Sequence, residues 1–298
     1  MSRIGISGAS GLVGRRLATR LRNAGHTVIP LVRRDPQAGT SILWDPAGER
    51  FDAAACEDLD AIVHLAGENV AKGRWTTRFR SVLRASRIDG TRLLVEGLLA
   101  RPRLPQVLVC ASASGFYGDR GEQVCDETTS CGTGFLAGLT RDWEAASAGF
   151  DSRGRRVVLR IGMVLARDGG ALPRIALPFR FGLGGRLGSG RQWMSWIALD
   201  DLCGVIERAL DDDSMRGTYN AVSPGPVRNA EFTRTLAGVL HRPAILPAPA
   251  FALRLALGAM ADELLLTSQR LAPARLLAAG FRFAHAELEA ALRDALRR

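Results

Sequence analysis

The stretch Arg3-Ile-Gly-Ile-Ser-Gly-Ala-Ser-Gly-Leu-Val-Gly14 decides the fold class of this 298-residue chain. A short apolar strand runs directly into three glycines spaced Gly8-x-x-Gly11-x-x-Gly14, and a helical pattern follows them as far as Gly25. The first glycine allows a tight turn, the second allows a pyrophosphate to approach the backbone, and the third allows close packing of helix on strand. The order of strand, glycine turn and helix therefore predicts a dinucleotide-binding turn, with the helix N-terminus facing the phosphates.

The residues after the second predicted strand indicate which dinucleotide is bound. That strand covers Thr27 to Val32, and an acidic residue at its end would accept a hydrogen bond from the 2′-hydroxyl of an adenosine ribose. The chain has Arg33-Arg34 instead, and a guanidinium offers a planar fork of donors that suits a 2′-phosphate. The sequence therefore predicts NADP(H) in preference to NAD. Asp35 follows immediately, so a contact to an NAD ribose stays open as the alternative.

Apolar strands and amphipathic helices alternate along the first half of the chain. Further strands are predicted at 41–44, 61–65, 107–111 and 157–161, with helices at 76–99 and 135–148. Towards the C-terminus, helical patterns cover 251–257 and 286–296. This rhythm predicts an α/β protein with a Rossmann-type doubly wound parallel sheet and a smaller C-terminal α/β substrate lobe. We expect the dinucleotide-binding domain to span 1–165, with elements partly returning from 193–222, and the smaller lobe to span 166–298.

Composition and charge narrow the classes of function. The formal net charge is +10, but the basic residues are scattered arginines without interleaved aromatic residues, and Lys72 is the only lysine. We therefore expect no nucleic-acid partner, and an anionic cofactor and substrate account for part of the charge. The five cysteines form no Cys-x-x-Cys pair, which predicts neither a disulfide framework nor a metal site.

Nothing in the sequence predicts secretion or membrane insertion. Met1 leads directly into the first strand, and charged residues at Arg254 and Asp262-Glu263 interrupt the apolar stretch 245–266. We therefore expect a cytoplasmic protein without a membrane partner. A small-molecule substrate is the expected partner, and a homodimer is left open.

Several motifs together resemble one known family, the NAD-dependent epimerase/dehydratase family of extended short-chain dehydrogenases/reductases. Besides the glycine turn, they are His64-Leu-Ala-Gly67, Ser112-x-Ser114 with Tyr117-Gly118, Arg160-x-Gly162-x-Val164, Gly188-Ser-Gly-Arg-Gln192 and Trp196-Ile-x-x-Asp200-Asp201. Other motifs, such as Trp143-Glu144 and Ala279-Gly-Phe-x-Phe283, are similar to a bacterial epimerase-like subgroup. Chains of that subgroup end in a short domain of unknown function, here from about residue 247.

The resemblance implies an epimerase or reductase acting on a nucleotide sugar or a related hydroxyl or carbonyl compound. The cofactor-binding residues that the turn and the family motifs then predict are Gly8, Ser10, Gly11, Leu12, Val13, Gly14, Arg33, Arg34, Leu65, Ala66, Gly67, Glu68, Ala111, Arg160 and Gly162. Family members bind a diphosphate with an arginine near the glycine-rich run, here residues 182–190. This implies a substrate site at Arg186, Arg191 and Gln192. A surface position is the alternative for both arginines, more so for Arg186.

One family motif is missing from the chain. The family uses Tyr-x-x-x-Lys, in which the lysine lowers the pKa of the tyrosine so that the phenol exchanges a proton with the substrate. Here the fourth residue after Tyr117 is Gly121, and the fourth after Tyr219 is Ser223. At the expected place the nearest match is Phe135-Leu-Ala-Gly-Leu139, and phenylalanine has no proton to give.

Two interpretations follow from the missing motif. In the first, Ser112, Ser114 and Tyr117 are the catalytic residues of an atypical enzyme; in the second, the fold is a non-catalytic NADP(H)-binding sensor or regulatory module. Backbone hydrogen bonding is the alternative role for the two serines, and packing is the alternative for the tyrosine. We further expect His64 to be a hydrogen-bonded core residue and Trp143-Glu144 to contribute packing and a local ion pair.

Overall fold

The computed structural model describes residues 1–297 and contains one large sheet of eight strands. In spatial order the strands are β12 (Gly217–Ala221), β8 (Arg155–Ile161), β6 (Val107–Ala113), β5 (Ala61–His64), β1 (Arg3–Ser7), β2 (Thr27–Val32), β3 (Ile42–Asp45) and β4 (Arg50–Phe51). Strand β1 pairs in parallel with both neighbours, so that Ile6 lies opposite Pro30 and Val63. Strand β4 pairs antiparallel with β3 in a hairpin. The predicted α/β fold with a Rossmann-type, largely parallel sheet is confirmed.

Ten α-helices accompany the strands within residues 1–297. They are α1 (Leu12–Asn23), α2 (Thr77–Arg84), α3 (Gly90–Leu99), α4 (Phe135–Ala146), α5 (Leu172–Arg180), α6 (Leu199–Asp211), α7 (Asn229–Leu240), α8 (Ala250–Leu257), α9 (Ala274–Ala278) and α10 (Leu288–Leu296). One π-helical turn, Ala85–Asp89, joins α2 to α3, so 77–99 is continuously helical as predicted. Within the described residues 1–297, no helix combines the length and apolar character needed to cross a bilayer.

The chain divides into two compact units. The first unit comprises Met1–Ser112, Leu139–Leu159 and Cys203–Thr218, and the second comprises Ala113–Gly138, Arg160–Leu202 and the chain from Tyr219 onwards. The core of the first unit consists of apolar side chains from the sheet and from α3, including Ile29, Ile62, Leu108, Leu94 and Leu98. Continuous apolar runs in these strands are typical of parallel strands that are buried on both faces of a sheet.

The second unit contains small sheets of two strands each. These are β9 (Met163–Leu165) with β11 (Trp196–Ala198), β10 (Trp193–Met194) with β13 (Val227–Arg228), and β7 (Val124–Cys125) with β14 (Arg270–Leu271). Its main core packs Trp196, Phe232 and Leu292 together. The division differs from the predicted boundary at residue 165, because residues 113–138 belong to the second unit. Phe116, Tyr117 and Cys125 of that segment pack against Val222 and Leu271.

Candidate functional site

The glycine turn after β1 is sterically closed to side chains at two positions. Gly8 has a φ of +70°, in the left-handed region, and a Cβ there would lie 3.1 Å from the backbone nitrogen of Ala66. A Cβ on Gly14 would lie 2.3 Å from the carbonyl oxygen of Gly8. The middle glycine, Gly11, donates its N–H to that same oxygen at 2.9 Å. The three glycines therefore form one tight turn in which helix α1 begins against the end of β1.

The N-terminus of α1 has the properties of an anion site. Gly11 is its N-cap, no side chain caps the helix, and its first turn contains no acidic residue. Ser10 is exposed, whereas Leu12 and Val13 are half-buried in the first turn. Free N–H groups and the positive end of the helix dipole favour a phosphate at such a position. The residues present therefore fit the pyrophosphate of a dinucleotide.

Arg33 and Arg34 directly follow β2, the strand adjacent to β1 in the sheet. Both side chains are exposed, and neither makes an ion pair within residues 1–297. Asp35 adopts a left-handed backbone with a φ of +49° and turns the chain away from the strand direction. Two unpaired guanidinium groups are thus available beside the phosphate turn, on its β2 side.

A buried chain of hydrogen bonds holds the loop after β5. Ser7 Oγ accepts the backbone N–H groups of Leu65 and Ala66, at 3.1 and 3.3 Å, and lies 2.7 Å from His64 Nδ1. On the other side of the imidazole, Nε2 lies 2.9 Å from Thr91 Oγ1. Thr91 Oγ1 also accepts the indole N–H of Trp143 at 3.0 Å. The loop that carries the predicted cofactor residues is therefore fixed from β1, α3 and α4.

His64 is a neutral core residue, as predicted. It has no exposed surface, and burial lowers its pKa to about 4. The oxygen of Ser7 already accepts two backbone N–H groups, so its own proton points to Nδ1 and the imidazole proton resides on Nε2. Sequence reasoning did not identify Ser7 or Thr91, because their partners lie far away along the chain.

The loop residues after Ala66 contact the helix 77–99. A Cβ on Gly67 would lie 3.2 Å from Cζ of Arg87, so the guanidinium fills the space beside this glycine. Glu68 receives no hydrogen bond from Arg87; its backbone N–H donates to Ser86 Oγ at 3.1 Å and its carboxylate pairs with Lys72 at 3.2 Å. Gly67 therefore leaves room for Arg87, a residue that sequence reasoning missed.

At the end of β6, Ser112 forms the shortest polar contact of the predicted catalytic residues. Its hydroxyl donates to Oε1 of Glu144 at 2.6 Å, and its side chain is buried. Glu144 lies on α4, beside Trp143, where the sequence predicts packing and a local ion pair and gives no sign of the contact to Ser112. Strand β6 extends to Ala113, two residues further than predicted, so Ser112 and the buried Ala111 belong to the strand itself. Ser114 is half-buried at the start of the 3₁₀ turn Ser114–Tyr117.

Tyr117 and Arg160 form a buried pair in the second unit. The phenol has no exposed surface, donates to Oδ1 of Asn220 at 2.7 Å and accepts from Nη1 of Arg160 at 2.9 Å. The guanidinium of Arg160 also stacks on Phe116, 3.3 Å from the ring centroid. Burial raises the pKa of Tyr117. These contacts favour the packing role of the tyrosine over the predicted proton transfer, and a structural role for Arg160 over cofactor binding.

Replacing Tyr117 by phenylalanine is expected to lower the free energy of unfolding by about 1–3 kcal/mol, because Arg160 and Asn220 lose a buried partner. Urea unfolding measures the change, with Tyr219→Phe as the control, since that phenol accepts one hydrogen bond, from Arg275 at 3.2 Å, and makes no other within residues 1–297. The affinity of folded Tyr117→Phe for NADPH should equal that of the wild type. Unchanged stability with weakened NADPH binding would return Tyr117 to the site.

Two other predicted ligand residues have structural partners. A Cβ on Gly162 would lie 2.7 Å from the carbonyl oxygen of Ser195, so this glycine is needed for packing. Gln192 is buried, and its amide donates to the carbonyl oxygens of Leu187 and Leu265 at 3.1 and 3.0 Å. Both amide protons of Gln192 are used, which favours a role in holding the loop over the predicted contact to substrate.

The predicted substrate arginines are exposed. Arg186 lines a cavity of about 580 Å³ in the second unit, together with Arg234 and Ile245. Arg191 follows the glycine-rich run, and its carbonyl oxygen accepts from Arg228 at 2.7 Å. The side chain of Arg186 therefore remains available to an anionic ligand within the second unit, with apolar side chains beside it.

Two of the five cysteines are poor nucleophiles. All five are free thiols, and burial raises the pKa of Cys56 and of Cys110 to about 12. In the part of the chain that the structure describes, residues 1–297, no three His, Cys, Asp or Glu side chains are placed to hold a metal ion.

Comparisons with known proteins agree with this geometry. The model of the NAD dependent epimerase/dehydratase family matches residues 4–146, and that of a domain of unknown function (DUF1731) matches residues 248–295. The chain is 44% identical over 290 residues to "Epimerase family protein MT2273" of Mycobacterium tuberculosis, with 97% of this chain and 96% of that protein covered.

Two solved structures are also similar. Human epimerase family protein SDR39U1 (isoform2) with NADPH is 34% identical, with 98% of each chain covered and a TM-score of 0.90. The nucleoside-diphosphate sugar epimerase from Corynebacterium glutamicum is 36% identical, with 99% of this chain and 58% of that chain covered and a TM-score of 0.82. Both likenesses extend over nearly the whole of the present chain.

Proposed function

Since this chain belongs to the NAD dependent epimerase/dehydratase family, we propose that it binds NADP(H) and acts as an atypical epimerase or reductase. The substrate is a nucleotide sugar or a related hydroxyl or carbonyl compound. The uncapped N-terminus of α1, behind the closed turn of Gly8 and Gly14, is the observation that carries the cofactor proposal. The backbone from Ser10 to Val13 would hold the pyrophosphate, and Leu65 and Ala66 would flank it.

The proposed preference for NADP(H) rests on Arg33 and Arg34. Both guanidinium groups are exposed and unpaired within residues 1–297, beside the strand whose end contacts the adenosine ribose in such folds. A 2′-phosphate would give them a charge-assisted, bidentate partner. The similar human protein was solved with NADPH, which supports the same choice.

NADPH is expected to bind at least tenfold more tightly than NADH, because a hydrogen bond to a charged group contributes about 1.5–3 kcal/mol. Calorimetric titration of both nucleotides measures the ratio. The double variant Arg33→Ser, Arg34→Ser should lose the preference without losing NADH binding. Arg103→Ser, which removes an exposed arginine elsewhere, should leave the ratio unchanged. Tighter binding of NADH by the wild type would show that the arginine argument is wrong.

For the proton transfer we propose Ser112 together with Glu144. When bound, NADP(H) supplies or accepts the hydride, while Ser112 orients the reacting oxygen of the substrate. The hydroxyl of Ser112 already donates to a carboxylate oxygen 2.6 Å away, so a proton passed to the serine has an acceptor behind it. This pair would replace the missing tyrosine and lysine, and Ser114 remains a second candidate. Arg186 and Arg191 of the second unit are the proposed contacts to an anionic substrate.

The absence of Tyr-x-x-x-Lys from the sequence favours a second candidate function, an NADP(H) sensor without turnover. A panel of carbonyl compounds and nucleotide sugars, assayed with NADPH by its absorbance, separates the two functions. Turnover that falls in Ser112→Ala supports the enzyme. Tight NADPH binding without turnover on any compound supports a cytoplasmic sensor, alone or as a homodimer.

A further inference from the structure

The guanidinium of Arg87 is the least satisfied charged group near the phosphate turn. It makes no hydrogen bond or ion pair within the described residues 1–297, and its Nη1 has neither solvent nor an acceptor. Burial lowers the pKa of Arg87 to about 10, so the group remains charged at neutral pH. A largely buried charge without a hydrogen-bonded partner is costly, and a bound anionic ligand would supply that partner.

The surrounding residues fix this guanidinium in place. One face lies over the ring of Trp143, 5.1 Å from the centroid, and that ring is held by its hydrogen bond to Thr91. The edge of the group lies against Gly67, where the absence of a side chain leaves it room. Arg87 itself lies in the π-helical turn 85–89, a distortion that is frequent at functional positions. Arg87 is therefore held rigidly by the fold, whereas its donors remain unused.

The order of the strands shows which part of a dinucleotide Arg87 would meet. Strand β1, which leads into the phosphate turn, lies between β2 and β5. Arg33 and Arg34 follow β2, whereas Gly67 and Arg87 lie beyond the end of β5. Ala66, next to Gly67, lies beside the turn, since a Cβ on Gly8 would come within 3.1 Å of its backbone nitrogen. Arg87 therefore lies on the side of the pyrophosphate position away from the adenosine.

We infer that Arg87 is a cofactor-binding residue, which donates to an oxygen of the pyrophosphate or ribose in the nicotinamide half of NADP(H). This inference rests on the proposed function. Its chemistry is that of a guanidinium fork facing phosphate or hydroxyl oxygens, with the charge partly neutralised by the ligand. The negative charge of Glu68 raises the pKa of Arg87, against the effect of burial, and Glu68 forms its own ion pair with Lys72.

Calorimetry with NADPH and with adenosine 2′,5′-bisphosphate, which lacks the nicotinamide half, tests the inference. Arg87→Met keeps the length of the side chain and removes its donors. It should weaken NADPH binding by about 10–100-fold and change the affinity for adenosine 2′,5′-bisphosphate by less than about twofold. Arg87→Lys, which keeps the charge without the planar fork, should lie between wild type and Arg87→Met. The control is Arg92→Met on α3, whose arginine is exposed and paired with Asp89, and both affinities should stay unchanged.

The outcomes separate the two levels of proposal. A wild-type protein that binds no NADPH overturns the proposed function and this inference with it. A wild type that binds NADPH, with Arg87→Met and Arg87→Lys binding it equally well, overturns only the role of Arg87. Equal losses for NADPH and adenosine 2′,5′-bisphosphate in both Arg87 variants would also overturn it, because they indicate damage to the turn.

Discussion

Replacing Gly14 by alanine is expected to abolish cofactor binding and to lower the free energy of unfolding by about 3 kcal/mol or more. The added Cβ would lie 2.3 Å from the carbonyl oxygen of Gly8 and 2.8 Å from Cα of Ala9. Both are backbone atoms of the phosphate turn, so the clash cannot be relieved by rotating a side chain. Either α1 moves away from β1 or the turn opens, and both changes remove the anion site.

Gly138→Ala is the matched control for this experiment. Gly138 also lies in a helix, α4, but a Cβ there would meet no atom within 4 Å. Its replacement should stabilise the protein by up to about 1 kcal/mol, since alanine favours helix more than glycine does. Urea unfolding and NADPH titration are measured on both variants. A Gly14→Ala protein as stable as the wild type, with full NADPH affinity, would show that the turn is not as tight as described.

Acidification is expected to destabilise the protein through His64. The pKa of this imidazole is about 4 in the folded state and about 6.5 when unfolded. Above about pH 6.5 both states are neutral and the stability is unaffected; below it the unfolded state binds the proton and the folded state does not. The free energy of unfolding should therefore fall by about 3 kcal/mol as the pH drops from about 6.5 to about 4.

The contribution of His64 is isolated by comparing variants. His64→Asn should be less stable than wild type at neutral pH, because the contact to Thr91 is lost, but it should lose less stability on acidification. His241→Asn removes an exposed histidine at a left-handed position that asparagine tolerates, and it should follow the wild-type pH dependence. Parallel pH profiles for wild type and His64→Asn would mean that His64 is not the titrating group.

The parts of the fold that depend on local rules were predictable from the sequence. The glycine turn, the strand 27–32 and the continuous helix 77–99 follow from spacing and hydrophobic periodicity over a few residues. The C-terminal helices, predicted at 251–257 and 286–296, occur at Ala250–Leu257 and Leu288–Leu296. The predicted and observed helix bounds differ by one or two residues, which is usual because helix ends fray.

The roles of buried polar side chains were not predictable, because they depend on partners far along the chain. Tyr117 follows a family motif, yet its phenol is bound by Arg160 and Asn220, 43 and 103 residues away in sequence. Glu144 contacts Ser112 across 32 residues, and Arg87 is hidden in an ordinary helical pattern. One buried polar contact could be anticipated from the sequence, because a histidine within an apolar run, such as His64, needs a hydrogen-bond partner close by.

The division of the chain into two units has a consequence for synthesis on the ribosome. The first unit is assembled from three separate pieces, the last of which ends at Thr218. Its central sheet therefore lacks β12 until more than two thirds of the polypeptide has been translated, and the nascent chain exposes an unpaired edge at β8 in the meantime. Neither unit corresponds to one continuous stretch, so truncation at residue 165 would yield an incomplete sheet rather than an autonomous dinucleotide-binding fragment.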